Sequence, residues 1–292
     1  MLAETGLGEE LKMMELRHAA PLVMAATLLC AGCTGSSNAS APANAPSAVA
    51  GESRPEFSPP AAKLPTGADP VNLDPADFSA NITNPYWPMK PGTRWTYRNV
   101  EEGNPSQVIQ VVVTTATKKL ANGITARAVR DTARSNGQIL EDTIDWYAQD
   151  AQGNVWYMGE RTAEFENGKV TSRAGSWEAG KDGAMPGILL PAQPQIGQKY
   201  RQEYKKGEAE DNGEVLATNN LVETSAGSYK KALVTMDTSA VETTAVEYKF
   251  YAPDVGPLLA LDISGGAARE ELVKIDKAAP KDGTGPIGKP NP

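Results

Sequence analysis

Histidine and cysteine are nearly missing from this 292-residue chain, which has one histidine, His18, and two cysteines, Cys30 and Cys33. Everything after Cys33 therefore lacks both imidazole and thiol. A domain built from that remainder can form no disulfide and no conventional zinc, copper, haem or iron–sulfur site, because those metals take nitrogen and sulfur ligands. It also lacks the partners of a Ser-His-Asp or Cys-His nucleophile. Long apolar runs are scarce as well: residues 19–31 (AAPLVMAATLLCA) give 13 in a row, against the ~20 that a membrane-crossing helix needs. Positive charge is in deficit, 28 Lys+Arg against 36 Asp+Glu, which argues against a phosphate-neutralising surface and so against nucleic acid as a partner. What stays open is oxygen chemistry.

The short apolar run has the length of the hydrophobic region of an export signal. Its end, Leu28-Leu29-Cys30-Ala31-Gly32-Cys33-Thr34, resembles the lipobox of bacterial lipoproteins, in which small residues precede a cysteine that is lipidated and becomes the first mature residue. The usual leucine three places before the cysteine is replaced by Cys30, with Leu29 one step further back. The resemblance implies a signal peptide over 1–32, lipid on Cys33, and an extracytoplasmic chain held to the cell membrane or outer membrane. Two or more acyl chains suffice for stable anchoring. The mature sequence, with 26 Lys+Arg against 32 Asp+Glu, adds no electrostatic attraction to anionic lipid. Read from Met1, the leader carries Glu4, Glu9, Glu10 and Glu15 against Lys12 and Arg17. Export leaders begin positive, so Met13 or Met14 is the better start.

Residues 33–70 read as a lipidated, disordered tether: 25 of the 37 positions after Cys33 are Ala, Pro, Ser or Gly, too few apolar groups to fold. Residues 277–292 (KAAPKDGTGPIGKPNP) read as a disordered tail on the same grounds. Between them, β-branched and aromatic runs alternate with turn residues, and Asn122-Gly123, Asn136-Gly137, Gly153-Asn154 and Asn167-Gly168 mark hairpins. No stretch holds a helical stripe. The expected class is all-β.

The two halves also echo each other at a shift of roughly 104 residues. Pro91 to Tyr97 matches Ile196 to Gln202, Asn122 to Val129 matches Ala226 to Leu233, and Asp145 to Asp150 matches Lys249 to Asp254. This predicts two tandem antiparallel modules, half-barrel or sandwich-like, related by internal duplication: 71–184 and 185–276. The run Asp145-Trp146-Tyr147-Ala148-Gln149-Asp150, followed by Gly153-Asn154-Val155-Trp156-Tyr157-Met158-Gly159-Glu160, resembles a family of exported bacterial proteins with such modules. That resemblance implies a fold and an address but no activity.

Three places are candidates for chemistry. In the acidic-aromatic stretch 141–147, Thr143, Asp145 and Tyr147 share one strand face, with Asp142, Ile144 and Trp146 on the other. Paired carboxylates beside aromatic rings are what a glycosidase uses, and Glu160, Glu164, Glu166, Glu178 and Asp182 lie near in sequence. The plainer alternative is a set of solvated strand charges. Residues 150–154 could present oxygens to Ca2+, or form an ordinary Asx turn. The glycine-rich loop 175–187 carries Trp177 and has no counterpart in the second module; it either closes over a ligand or plugs the seam between modules. The reading that results is a tethered protein, not an enzyme, with no cofactor and no metal. It binds an apolar, lipid-like or glycan ligand, or serves the envelope structurally, with Trp177, Asp145, Tyr147 and Trp156 as candidate contacts. A carboxylate-dependent glycan hydrolase and a protein–protein scaffold are the alternatives.

Overall fold

A computed structural model describes residues 63–291. The signal segment, Cys33 and most of the tether lie outside the described residues, which contain no α-helix. After a short edge strand β1 (Phe78–Ser79), the chain runs up and down through β2 (Thr93–Val100), β3 (Gln107–Lys119), β4 (Thr125–Ser135), β5 (Gln138–Asp150) and β6 (Val155–Glu166). Three shorter strands follow, β7 (Lys169–Ser172), β8 (Trp177–Glu178) and β9 (Met185–Leu190). The second half repeats the path with β10 (Lys199–Arg201), β11 (Glu203–Tyr204), β12 (Asp211–Thr224), β13 (Gly227–Ser239), β14 (Val246–Ala252), β15 (Gly256–Ser264) and β16 (Arg269–Lys277). Two Asn-Gly pairs behave as their chemistry demands: Asn136-Gly137 and Asn167-Gly168 both take positive φ at both residues, the geometry of tight two-residue hairpins.

All pairings are antiparallel, and the strand order is β10-β12-β13-β14-β15-β16-β2-β3-β4-β5-β6-β9-β11. Its two ends, β10 and β11, are one bent strand interrupted at Gln202, so the sheet nearly closes into a barrel. At one seam β16 pairs with β2 over most of its length. At the other, Tyr200 faces Gly213 of β12 while Glu203 faces Pro186 of β9. Gly187 permits this handover, because a Cβ there would sit 2.3 Å from the Arg201 carbonyl oxygen.

The segments that echo each other in sequence fall on strands of equal rank. Asp145 of β5 faces Val129 of β4, and Lys249 of β14 faces Thr235 of β13. Tyr147 and Tyr251 occupy matching places, and Trp87 packs against both at 5.6 and 6.2 Å. Burying such large rings contributes ~1.5–3 kcal/mol apiece, and here they join the two halves at one end of the interior.

Two boundaries differ from those read in the sequence. The first meander does not end at Ala184: β9 still pairs with β6 through Val155 and Leu190. Its prolines suggested a linker, yet Pro186 lies within β9, opposite Glu203 of β11. The tail read as disordered is ordered through residue 291 and packed. Arg130 donates from Nη1 to the Gly285 carbonyl at 2.8 Å and from Nη2 to that of Pro286 at 3.0 Å, and Gly288 N–H donates to Asp142 Oδ2 at 2.6 Å. The end of the tether behaves likewise, its Gly67 and Asp69 carbonyls accepting from Arg201 Nη1 at 2.6 and 2.8 Å. Composition could not show this, because much of what holds both segments is hydrogen bonding of their backbone to buried Arg130, Asp142 and Arg201, with Leu64 adding one core side chain.

Candidate functional site

The glycine-rich loop after β7 folds back onto β6. There β8 lays Glu178 opposite Gly159 and Trp177 opposite Glu160. Gly159 has φ +127°, and a Cβ on it would meet the Trp177 carbonyl oxygen at 2.5 Å; only glycine lets the loop lie this close. Trp177 is buried and meets the Tyr157 ring edge-on at 5.3 Å.

Beside this crossing lies a cavity of about 280 Å3, near the lower end of the ~300–1,000 Å3 usual for ligand pockets. Trp146 and Trp177 are among its lining residues, with Ser176 and Glu160. Lys118, Arg161, Lys181 and Lys205 also line it, with Glu178 and Asp182. Lys118 Nζ stands 3.4 Å from the centroid of the Trp146 ring and 2.8 Å from Glu178 Oε2, on which Lys181 also converges at 2.7 Å. Partial burial works against the Glu178 charge, but hydrogen bonds from both lysines outweigh it and hold the carboxyl below its ordinary range. Arg161 is exposed and has no ion-pair partner among the described residues.

Glu160 is the point where this cavity meets the barrel interior. Its Oε2 accepts from the Tyr157 hydroxyl at 2.9 Å, and Asp145 Oδ1 lies 2.9 Å from the same hydroxyl oxygen. One phenol thus links two buried carboxyls. Burial pushes Glu160 up to about 8, although the Tyr157 contact lowers it. Asp145 is raised too, by burial first and then by Glu160 and Asp131. Further carboxyls fill the interior, and Asp131, Glu141, Glu203, Asp211, Asp237, Glu247 and Glu270 are all buried. Lys249 answers them with ion pairs to Asp237 at 2.8 Å and Glu247 at 3.0 Å. Despite so many carboxylates, no group of three is arranged to hold a metal ion among the described residues.

Trp177 lies on the cavity. Asp145 and Tyr147 lie beneath it: Tyr147 stacks on Tyr157 at 5.1 Å, and Asp145 reaches the same residue through its hydroxyl. Trp156 is not part of this group. It points to the opposite face of β6, where its indole donates to Asp150 Oδ2 at 2.8 Å and meets Phe78 edge-on. The same Asp150 accepts from the backbone of Gln152 and Asn154 and from the Asn154 amide. Its oxygens are spent on an Asx turn, and none is left for Ca2+. Glu178 and Asp182 do belong to the cavity, whereas Asp142 sits on the outer face in a buried pair with Arg130. Sequence reasoning missed Trp146, Lys118, Arg161 and Lys205. Trp146 was legible as part of the acidic-aromatic stretch; the cations were not, because they come from β3, β6 and the end of β11 and meet only in three dimensions.

No family model matches the chain, and no curated protein matches it significantly. Two solved structures are similar in outline. One, from Bacteroides fragilis, is described as an exported protein with a YmcC-like fold; at 15% identity and a TM-score of 0.41 it covers 66% of this chain and 99% of its own. The other, from Parabacteroides distasonis, is described as a lipoprotein; it has 12% identity, a TM-score of 0.36, and 65% and 98% coverage.

Proposed function

We propose that this chain is a lipid-anchored, extracytoplasmic binding protein whose ligand is a glycan held in the cavity between Trp146 and the Trp177 loop. The observation that carries the reading is that cavity. It is an open depression lined by Trp146, Trp177 and several hydrogen-bonding and charged side chains, beside the glycine-rich loop. Its size suits one small polar ring better than an acyl chain, and its lining is too charged for a lipid tail. The leader ending in Cys33 supplies the address.

Native mass spectrometry of the protein purified from its own host tests the reading. A bound saccharide should be found on the wild-type chain and be lost from Trp146→Ala; a chain that carries none, or keeps it in the variant, contradicts the proposal. Cys33→Ser should move the protein to the soluble fraction.

A second reading rests on Glu160. A carboxyl held protonated to about 8, reaching a cavity with Asp145 behind it, has the parts of a general acid and its partner. Release of reducing ends from envelope glycan by the wild type and not by Glu160→Gln would favour hydrolysis over binding.

A further inference from the structure

We propose that the ring bound in this cavity carries an anionic substituent, so that the ligand class is an acidic sugar rather than a neutral one. The inference rests on the glycan reading above and deepens it. Four cations line the cavity against Glu178 and Asp182, in a chain whose formal net charge is −8. This surplus runs against the rest of the molecule, and with a screening length of ~8 Å at physiological salt the local charges dominate what a ligand feels there.

The ion pairs among the described residues put two of the cations on one carboxylate and leave Arg161 over. Glu178 draws both Lys118 and Lys181, two cations on one carboxylate. Lys205 pairs at 2.5 Å with Glu208, which is not among the residues lining the cavity. Arg161 has no ion-pair partner among the described residues, and a guanidinium presents its donors in the fork that fits a carboxylate. The third carboxyl of the lining, Glu160, is pushed up to about 8 by burial, which lessens its repulsion of an anion. Trp146 and Trp177 are also among the lining residues, so a ring that bears the charge has apolar as well as charged surface to meet, which a bare inorganic anion does not use.

The test compares D-glucuronic acid, D-glucose and inorganic phosphate by isothermal titration and saturation-transfer NMR on the wild type, Arg161→Ala and Trp177→Ala. Glucuronate should bind at least tenfold more tightly than glucose, a difference of ~1.4 kcal/mol. It should weaken several-fold in Arg161→Ala and be lost in Trp177→Ala, while glucose is indifferent to Arg161. If glucose and glucuronate bind alike and both depend on Trp177, the charge inference fails and the cavity reading stands. Phosphate binding as tightly as glucuronate would overturn the sugar and leave an anion site. If either sugar binds equally well to Trp177→Ala, or neither binds at millimolar concentration, the cavity reading itself fails. Thermal unfolding of each variant shows whether a loss reflects misfolding.

Discussion

Arg130 and Asp142 form the most demanding contact in the molecule. Both side chains are essentially fully buried, and the guanidinium spans Asp142 on one side and the carbonyls of Gly285 and Pro286 on the other. Thr132 also donates to Asp142 Oδ1 at 3.0 Å. Removing one partner strands a charge in a low dielectric, typically at ~3–5 kcal/mol. Arg130→Ala is therefore expected to lose about that much in denaturant unfolding, and Arg130→Met combined with Asp142→Leu distinctly less. Equal losses in the single and double variants would show that the tail contacts matter and the charge does not. Alternation along β5 was readable in advance: Asp145 and Tyr147 face inward, Asp142 and Trp146 the other way. That Asp142 would be neutralised by an arginine, and that Trp156 would serve a turn rather than a ligand, depended on cross-strand neighbours that spacing does not encode.

Among the elements, β8 makes the site, because its two residues convert a loop into one wall of the cavity. Its seat on β6 depends on the missing side chain at Gly159. Gly159→Ala should lift β8, exposing Trp177 and red-shifting its fluorescence, and should cost roughly 1–3 kcal/mol of stability through strain at a positive φ. An unshifted emission would mean that the loop sits there without that contact. Long strands and Asn-Gly hairpins were visible in the sequence, since both depend on local chemistry. The two-residue β8 was not, nor was the division of the strand at 200–204 between two partners, because both depend on pairing with a distant strand. Likewise the tail, judged by composition, gave no hint of its anchorage on Arg130.

At the scale of the whole molecule, the barrel buries many carboxyls about a single interior lysine. Burial raises Asp131, Glu160, Glu247 and Glu270 to about 8 from ordinary values of 3.8 or 4.5. Between those limits the folded chain holds protons that the unfolded chain releases. Their contribution is complete below about pH 4 and is lost as pH rises through about 8. Thermal unfolding should accordingly show Tm falling from pH 5 to pH 8.5, with each kcal/mol lost lowering it by roughly 2–4 °C in a domain of this size. A Tm that rises over that interval would mean the interior acids are ionised and well paired. Lys249 does not alter the sign: burial opposes its charge, but Asp237 and Glu247 raise it well above 10.5, outside the window. The all-β class was legible from strand chemistry. The acidic interior was not, because the sequence shows carboxylates but not that closure of the sheet turns them inward.

The location of binding is open to direct reading, since the chain has five tryptophans and each indole N–H gives its own NMR resonance. Titration with glycan fragments released from the host envelope should shift the indole signals of Trp146 and Trp177. Trp87 and Trp95, packed in the core, and Trp156, on its turn, should stay in place. Movement of Trp87, Trp95 or Trp156 while Trp146 and Trp177 remain unmoved would contradict the account.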